Sequence, residues 1–570
     1  MIVIIRMLVI ICILLCFPNA LVCQQIESSF PMPIDWNYIK NESLFIQDAN
    51  CSVKKIPLEM DWATCQFDQQ HVAPQTEKNH LDTHDKNYKP DLSLVGFVRM
   101  ALQNHPDIQI LETEHDSSQG RILYEQGAFD FSMGSSVTIS HDEKHASFNN
   151  RSKNDLIQFQ LNVDKQFRNG LRIRPSVTLN RTNDLQSQMD PMSTSSVDCL
   201  IQIPLFKDQG FAQLDEQAAI KYHEVSLYTL RHAMTQVVYD CALSYWNYLA
   251  SKKDLEMLNE SVNKAQQLVE ETRQLIHADE RPVADIEQLY ANLAEKESQY
   301  IEGLQNVHEK WVLLMHTIGK QDYEPDYFPL PENPFPDQQS LKDEFEETDQ
   351  FITHALTHRY DYIASKEYES YFQLAVIQAK NENSPQIDLS LRFGYSGMDK
   401  GYDWSDYVSA FGNHIPGISY LATLDMTWPY QQLSSKGSMM QKQALFDKQK
   451  IITKHIERTI RSQVKLAISS IQNSIQEIQK NSMVIQTYQI VVNNEKTKFQ
   501  LGLSTILDLI TTEDHLFNAK RREIASKLKF AKAISKLRFE TSSLISFKND
   551  QAIISLEQLI TLPTAFKKKL

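Results

Sequence analysis

Two long segments without glycine or proline restrict the fold of this chain more than any other feature. Residues 211–281 and 438–501 contain neither of these helix breakers. Apolar residues recur in both at steps of three and four, which is typical of a coiled-coil seam. We therefore predict two continuous helices, each about 100 Å long at a rise of about 1.5 Å per residue. The seam positions are Val238, Cys241, Tyr245, Tyr248, Leu255, Leu258, Val262, Ala265 and Val269, then Ile460, Val464, Ala467, Ile471, Ile475, Ile478, Ile485, Tyr488 and Val492.

A shorter helical segment follows each long one. Pro282 precedes the first, residues 283–318, and Gly319 is a natural C-terminal stop, while Gly502 precedes the second. The first return helix and a predicted opening helix, residues 94–125, are together about as long as one long helix. This match in length predicts one long helix with two short helices stacked end to end beside it, and the second half repeats the arrangement.

Alternating segments precede each long helix. Apolar and polar residues alternate strictly over residues 157–163 and again over 387–395. A period of two predicts strands with one apolar and one polar face, as in a half-buried soluble sandwich or an outer-membrane barrel. The first strand region, residues 129–204, is considerably longer than the second, 385–429, and the surplus suits one extra hairpin that includes Gly170.

The two halves of the chain follow one order of elements. The start of the opening helix, residues 101–108, recurs at 355–362, which indicates a tandem duplication. The predicted fold class is α+β, with coiled-coil α-helical hairpins and antiparallel β-strands in two tandem repeats. The predicted divisions are a signal peptide at 1–23, an irregular extension at 24–90, a first helix–strand–helix repeat at 91–320, a Pro-rich acidic connector at 321–348, a second repeat at 349–546 and a C-terminal tail at 547–570.

The first residues indicate export. Arg6, an apolar run at 7–17 and a short boundary segment are typical of a secretory signal. The signal favours the barrel interpretation of the alternating strands. Cys23 would suit a lipidated N-terminus, but Val22 occupies a position where lipoprotein cleavage sites favour Gly, Ala or Ser. No other stretch approaches the roughly 20 apolar residues of a transmembrane helix, and the mean hydropathy is −0.40.

Charge and motifs exclude several classes of protein. The net charge of −15 argues against nucleic-acid binding, which usually needs a basic surface. Phosphate loops, dinucleotide fingerprints, nucleophile elbows and metal-ligand spacings are missing, so we predict no catalytic residues, no metal site, no cofactor and no enzyme activity. In an oxidising compartment Cys51 and Cys65 would either form a disulfide or remain free thiols.

One local motif carries a family resemblance. Residues 498–509 read KFQLGLSTILDL, with an aromatic residue, a glycine turn and a hydrophobic–Asp–hydrophobic run, and LFNAK follows at 516–520. Together with the duplication, the signal and the helix lengths, this motif resembles the TolC family over about residues 91–546. The resemblance implies a homotrimer that forms one barrel in the outer membrane and a helical tunnel through the periplasm. Its implied partners are a periplasmic adaptor, an inner-membrane transporter and outer-membrane lipid.

The resemblance also assigns candidate site residues. Asp508 falls on the first acidic position of the family's constriction, whereas Thr511 occupies the second. A ring of Asp508 carboxylates would attract cations, but the same Asp also suits a helix N-terminus, where the dipole stabilises it. The hairpin tip expected to meet the adaptor is Leu501, Gly502, Leu503 and Ser504, and Gly502 is equally explained by a left-handed turn.

The first hairpin differs from the second at its tip. Residues 278–285 contain Pro282 and lack the Gly-Leu-Ser pattern, although Asp285 aligns with Asp508. We therefore expect the two hairpins to dock the adaptor unequally. The leading functional hypothesis is a passive outer-membrane exit duct for efflux or type I secretion. The alternative is a non-conducting periplasmic coiled-coil scaffold anchored by the sheet, and an exported hydrolase would need a polar site that the sequence does not contain.

Overall fold

The computed structural model describes most of the chain after residue 91. The described residues are 92–147, 150–184, 192–278, 282–320, 328–337, 348–401, 404–410, 417–428, 430–548 and 551–563. The predicted signal, the N-terminal extension and the pair Cys51 and Cys65 lie outside them.

Helices account for most of the described residues. Their bounds are α1 Leu94–Asn104, α2 Pro106–Gly127, α3 Leu214–His277, α4 Ala284–Ile318, α5 Thr348–His358, α6 Tyr360–Glu382, α7 Trp404–Ala410, α8 Leu433–Gln500, α9 Ile506–Glu540 and α10 Leu556–Ile560. The two long helices, α3 with 64 residues and α8 with 68, confirm the prediction from the segments without glycine and proline.

The strands form one large antiparallel sheet and one small one. The large sheet follows chain order, β1 Phe131–Ser147, β2 Asn150–Gln166, β3 Arg172–Asp184, β4 Met192–Pro204, β5 Gln386–Lys400 and β6 Gly417–Thr427. The small one pairs β7 Ser546–Lys548 with β8 Gln551–Ile553. Four strands precede α3 and two precede α8, so the predicted extra hairpin is confirmed, with Gly170 in the turn between β2 and β3.

The predicted seams are the buried faces of the long helices. In α3 every predicted seam residue is buried except Leu255, which is partly buried against the same core. In α8 Ile475, Ile485 and Tyr488 are half-buried and the others are buried. The seam residues span 238–269 of α3 and 460–492 of α8. Along their lengths, α3 packs against α2 and α4, and α8 packs against α9, while α6 contacts both long helices.

The segment after α4 lies along the middle of α3. The hydroxyl of Tyr248 donates to the carbonyl of Pro329 at 2.6 Å, and Lys252 donates to the carbonyl of Phe328 at 2.9 Å. Trp246 and Trp311 are almost fully buried beside this segment. Residues 328–337 of the predicted connector therefore pack against the core, chiefly through Phe328 and Phe335.

The C-terminal segment folds back on the end of α9. The buried Arg538 guanidinium donates to the carbonyls of Thr561, at 2.7 Å, and Leu562, at 2.9 Å. Burial lowers the pKa of Arg538 to about 10. Leu559 is fully buried, so the predicted tail contributes to the core through α10.

A buried ionic group joins the second opening helices to α9. Arg359, between α5 and α6, pairs with Glu540, which also accepts from Lys536 at 2.7 Å. Glu540 is 1% exposed and Arg359 is 9% exposed. Removing one partner from a buried pair is costly because the other charge is left without compensation.

The opening helix is broken, unlike the single helix expected over 94–125. Pro106 is the first residue of α2, and His105 before it is extended, because proline lacks the N–H that would continue α1. The end of α4 meets this break. Gly319 has φ 78°, and a Cβ there would lie 2.5 Å from the carbonyl oxygen of Asn104. The short helices beside α3 are thus stacked end to end, as the lengths predicted.

Gly319→Ala should destabilise this junction. The substitution places a Cβ in the left-handed region and against backbone, which together cost about 2 kcal/mol or more. The matched control is Gly120→Ala on α2, where a Cβ meets nothing within 4 Å and a helical Ala should stabilise by about 0.5–1 kcal/mol. Thermal unfolding followed by circular dichroism should give shifts of opposite sign, and equal shifts would contradict the stacking.

Candidate functional site

The large sheet has one apolar and one polar face. Residues opposite each other in the register share a face. The apolar face comprises Phe131, Met133, Val137, Ile139, Ile157, Phe159, Leu161, Val163, Ile173, Pro175, Val177, Leu179, Val197, Cys199, Ile201, Ile203, Ile387, Leu389, Leu391, Phe393, Tyr395, Ile418, Tyr420, Ala422, Leu424 and Met426. The opposite face carries mostly Ser, Thr, Asn, Gln, Gly and charged residues. The alternation seen in two segments of the sequence therefore extends across all six strands.

The edges of this sheet expose large apolar side chains. Among the described strands, β1 and β6 each have a single neighbour. Tyr420 on β6 is 84% exposed, and Ile139 on β1 is 76% exposed. Large apolar side chains that are exposed to this extent on one surface normally indicate contact with another chain or a membrane.

The short helix α7 covers one corner of the apolar face. Ser193 and Ser195 on β4 are fully buried there, and the hydroxyl of Ser195 donates to the carbonyl of Tyr407 at 2.9 Å. The hydroxyl of Ser193 donates to the carbonyl of Gly401, just before α7, at 3.4 Å. The two serines therefore interrupt the apolar pattern at positions where nearby backbone carbonyls supply polar partners.

The opposite end of the helices holds the predicted hairpin tip. Gly502 has φ 72°, and Leu503 donates its N–H to the carbonyl of Lys498 at 2.9 Å, which closes the end of α8. Leu501 and Leu503 are 68% and 75% exposed. The turn therefore requires glycine for its backbone and presents two leucines on its surface.

Asp508 lies in a capping box at the start of α9. The Thr505 hydroxyl oxygen accepts from the N–H of Asp508 at 3.2 Å, and the Asp508 carboxylate accepts from the N–H and the hydroxyl of Thr505 at 3.2 and 2.6 Å. These hydrogen bonds, the side-chain one first, lower the pKa of Asp508. Thr511 is exposed one turn later. Within one chain, Asp508 caps the start of α9, as expected for an Asp at a helix N-terminus. Its role at a constriction stays a prediction.

Ser504 ties the tip to the end of α8. Its hydroxyl donates to Glu495, which also pairs with Lys498 at 3.0 Å. These hydrogen bonds, that of Ser504 first, lower the pKa of Glu495. Ser504 therefore has a structural partner in addition to its predicted role in docking.

The first hairpin is built differently. Residues 279–281 lie outside the described residues, and Asp285 donates its N–H to the carbonyl of Pro282 at 3.2 Å. Val283 precedes α4 and offers no side-chain cap. The capping box of the second hairpin has no counterpart at the described start of α4, although unequal docking of an adaptor stays a prediction.

Ion pairs between the two hairpins were not predicted from the sequence. Lys296 on α4 pairs with Asp514 on α9 at 2.5 Å, and Arg521 on α9 forms a bidentate pair with Asp254 on α3 at 2.6 and 2.8 Å. Closer to the tips, a small apolar cluster joins all four helices. It contains Leu268, Val269, Leu289, Phe499, Ile506 and Leu509. Sequence spacing gives no information on which residues of separate hairpins face each other.

Other kinds of site are missing from the described part of the chain. Its His, Cys, Asp and Glu residues form no group of three or more that could hold a metal ion. Every helix described is too short or too polar to span a bilayer.

Comparisons with known proteins support the architecture. The sequence matches no protein-family model and no curated protein. Solved structures do match: the outer membrane protein VceC of Vibrio cholerae (14% identity, 79% of this chain and 96% of VceC, TM-score 0.57), the outer-membrane channel OprN (11%, 79% and 89%, 0.58) and the MtrE outer membrane channel of Neisseria gonorrhoeae (12%, 79% and 88%, 0.55). The chain has the fold of these outer-membrane proteins, which confirms the resemblance to the TolC family at the level of fold.

The capping box should govern the local stability of the second tip. Thr505→Ala removes the hydroxyl, so amide hydrogen exchange in the first turn of α9 should accelerate about fivefold, whereas Thr505→Ser should change it little. The hydrogen bonds of the cap lower the pKa of Asp508. The ionised carboxylate therefore contributes fully to stability above its usual pKa near 3.8, and this contribution is lost as pH falls through the lowered pKa. Equal exchange in both variants would show that the cap has no role.

Proposed function

We propose that this protein is an outer-membrane exit duct. In this proposal three copies form a passive channel across the outer membrane and periplasm. A periplasmic adaptor and an inner-membrane transporter complete a tripartite efflux or type I secretion system. The observation that carries the proposal is the sheet, because its faces are separately apolar and polar and its strands lead directly into long paired helices. Residues 1–23 would direct export, and the chain would bind no nucleic acid and need no cofactor.

The physical argument starts from the two edges of the sheet. Lipid would cover the apolar face and water would fill a lumen lined by the polar face. An open sheet edge cannot face lipid, because its backbone groups would find no hydrogen-bond partner there. Further copies that join β1 to β6 would satisfy both edges, and the TolC resemblance favours three copies. The proposed tandem duplication is supported by the helix breaks at His105 and Arg359, whose spacing along the chain equals that of the sequence recurrence.

The site assignments belong to the same proposal. Three Asp508 carboxylates would form a cation-attracting constriction, with Thr511 as an uncharged second position. Leu501, Gly502, Leu503 and Ser504 would meet the adaptor together with Pro282 and Asp285 of the other hairpin. The exposed leucines at 501 and 503 support this role, since an apolar contact is what a docking tip needs.

The competing function is a non-conducting periplasmic scaffold anchored in the outer membrane. Paired long helices suit a scaffold equally well. A scaffold, however, needs no polar face on a sheet whose other face is apolar over six strands. The polar face therefore favours the duct.

Ion conduction separates these two functions. The full-length protein, extracted from outer membranes in mild detergent, should give discrete single-channel steps in a planar bilayer. Negative-stain images should show threefold particles with a stalk of about 100 Å. Compact monomers that never conduct would eliminate the duct and leave the scaffold.

Two substitutions at Asp508 distinguish a gate from a cap. Asp508→Asn keeps a carbonyl oxygen for the N–H of Thr505 and removes the charge, whereas Asp508→Ala removes both. If the carboxylates form a constriction, both variants should lower cation selectivity severalfold, and Asp508→Ala should also give larger conductance or leakier membranes. Thr511→Asp should raise cation selectivity.

The control is Asp285→Asn on the first hairpin, where α4 begins without a side-chain cap. Unchanged selectivity in both Asp508 variants, with faster hydrogen exchange only in Asp508→Ala, would assign Asp508 to the cap alone.

A further inference from the structure

The hairpin β2–β3 is a continuous part of the sheet wall. On one side Phe159 of β2 lies opposite Val137 of β1, and on the other it lies opposite Leu179 of β3. Val177 of β3 lies opposite Val197 of β4. The paired register on both sides of the hairpin means that it is inserted between β1 and β4 instead of lying over them.

Both faces of the sheet continue through the hairpin. Leu161 and Val177 extend the apolar face, and Asn162 and Ser176 extend the polar face. A hairpin that folded into the lumen as a plug would not need an apolar face in line with its neighbours. Its pattern is that of a strand pair with lipid on one side and water on the other.

The turn of the hairpin is fixed where the sheet meets the helices. Arg168 forms a bidentate pair with Glu216 at the start of α3, at 2.7 and 2.8 Å. The carbonyl of Asn169 accepts from the N–H of Gly210 at 3.2 Å. Gly170 has φ 92°, and a Cβ there would lie 2.6 Å from the carbonyl oxygen of Asp208. These contacts hold the hairpin level with the other strands.

We infer that the hairpin widens the pore, so that three copies close a barrel of eighteen strands with an exit wide enough for folded helical segments. This inference rests on the proposed trimeric duct. The chain contributes six strands, an even number, so β1 and β6 run in opposite directions and every seam between copies closes antiparallel. Without the hairpin the same chain would contribute four strands and three copies would close twelve.

Strand number sets the width. With strands about 4.8 Å apart and tilted by about 40°, eighteen strands give a backbone diameter of about 36 Å and twelve give about 24 Å. Side chains of about 5 Å on each wall leave a lumen of about 26 Å or about 14 Å. The wider lumen admits two α-helices side by side, whereas the narrower one admits a single helix. Barrels of about 16–18 strands leave an aqueous channel.

The test counts strands and measures the exit. Electron cryomicroscopy of the full-length protein in detergent should resolve eighteen strands in a threefold barrel. In planar bilayers, polyethylene glycols between about 14 and about 26 Å across, added on the side of the bilayer opposite the helices, should enter the lumen and reduce conductance. A variant lacking residues 150–184, which removes β2 and β3 and leaves β1 and β4 antiparallel, should exclude these polymers.

Each outcome is decisive. Twelve strands in a conducting threefold channel, with the hairpin outside the wall or within the lumen, would overturn the inference and leave the duct intact. Particles without threefold symmetry that do not conduct would overturn the proposed function itself. If the shortened variant does not fold, the strand count of the unmodified protein decides alone.

Discussion

The apolar seam along α3 and α8 is the constraint on which the rest of the structure depends. Each seam is buried by shorter helices that lie beside it, and each long helix begins after a strand of the large sheet and ends at a hairpin tip. A helix of about 100 Å buries many side chains along its length, and each buried side chain adds a small increment of stability. Loss of one contact therefore weakens the hairpin locally, while the spacing between sheet and tips is retained.

The helices and strands could be predicted from the sequence because each of them has a local cause. Each long helix ends before one of these residues, α3 at His277 before Pro282 and α8 at Gln500 before Gly502, and the period-2 pattern continues as sheet register. Features that depend on the meeting of distant segments were missed. Arg521 pairs with Asp254 over 267 positions, and the fold-back of α10 onto Arg538 depends on carbonyls at a chain end that shows no periodic pattern. The opening helix was predicted as one although Pro106 marks its break.

The candidate site was readable in part for the same reason. The tip motif located Gly502 and Asp508, because a left-handed turn followed by a helix start has a short sequence signature. It could not distinguish a carboxylate that caps a helix from one that lines a pore. The capping box occupies Asp508 within its own chain, yet Asp508 remains fully exposed to solvent and ionised above its lowered pKa. The two roles are compatible, since a capped carboxylate is also a fixed and oriented charge.

In the proposed duct, the attachment of the sheet to the helices would let the width of the barrel vary independently of the helical tunnel. The β2–β3 hairpin enters and leaves on the sheet. Its turn contacts the start of α3 through Arg168 and the segment before α3 through Gly170, which lies against Asp208. In the proposed barrel the hairpin would therefore lengthen the circumference by half without changing the number of helices. Because the polar face continues across the hairpin, the added part of such a barrel would be lined by polar side chains. In the proposed duct, strands inserted in pairs would widen the exit, since only an even number keeps every seam antiparallel.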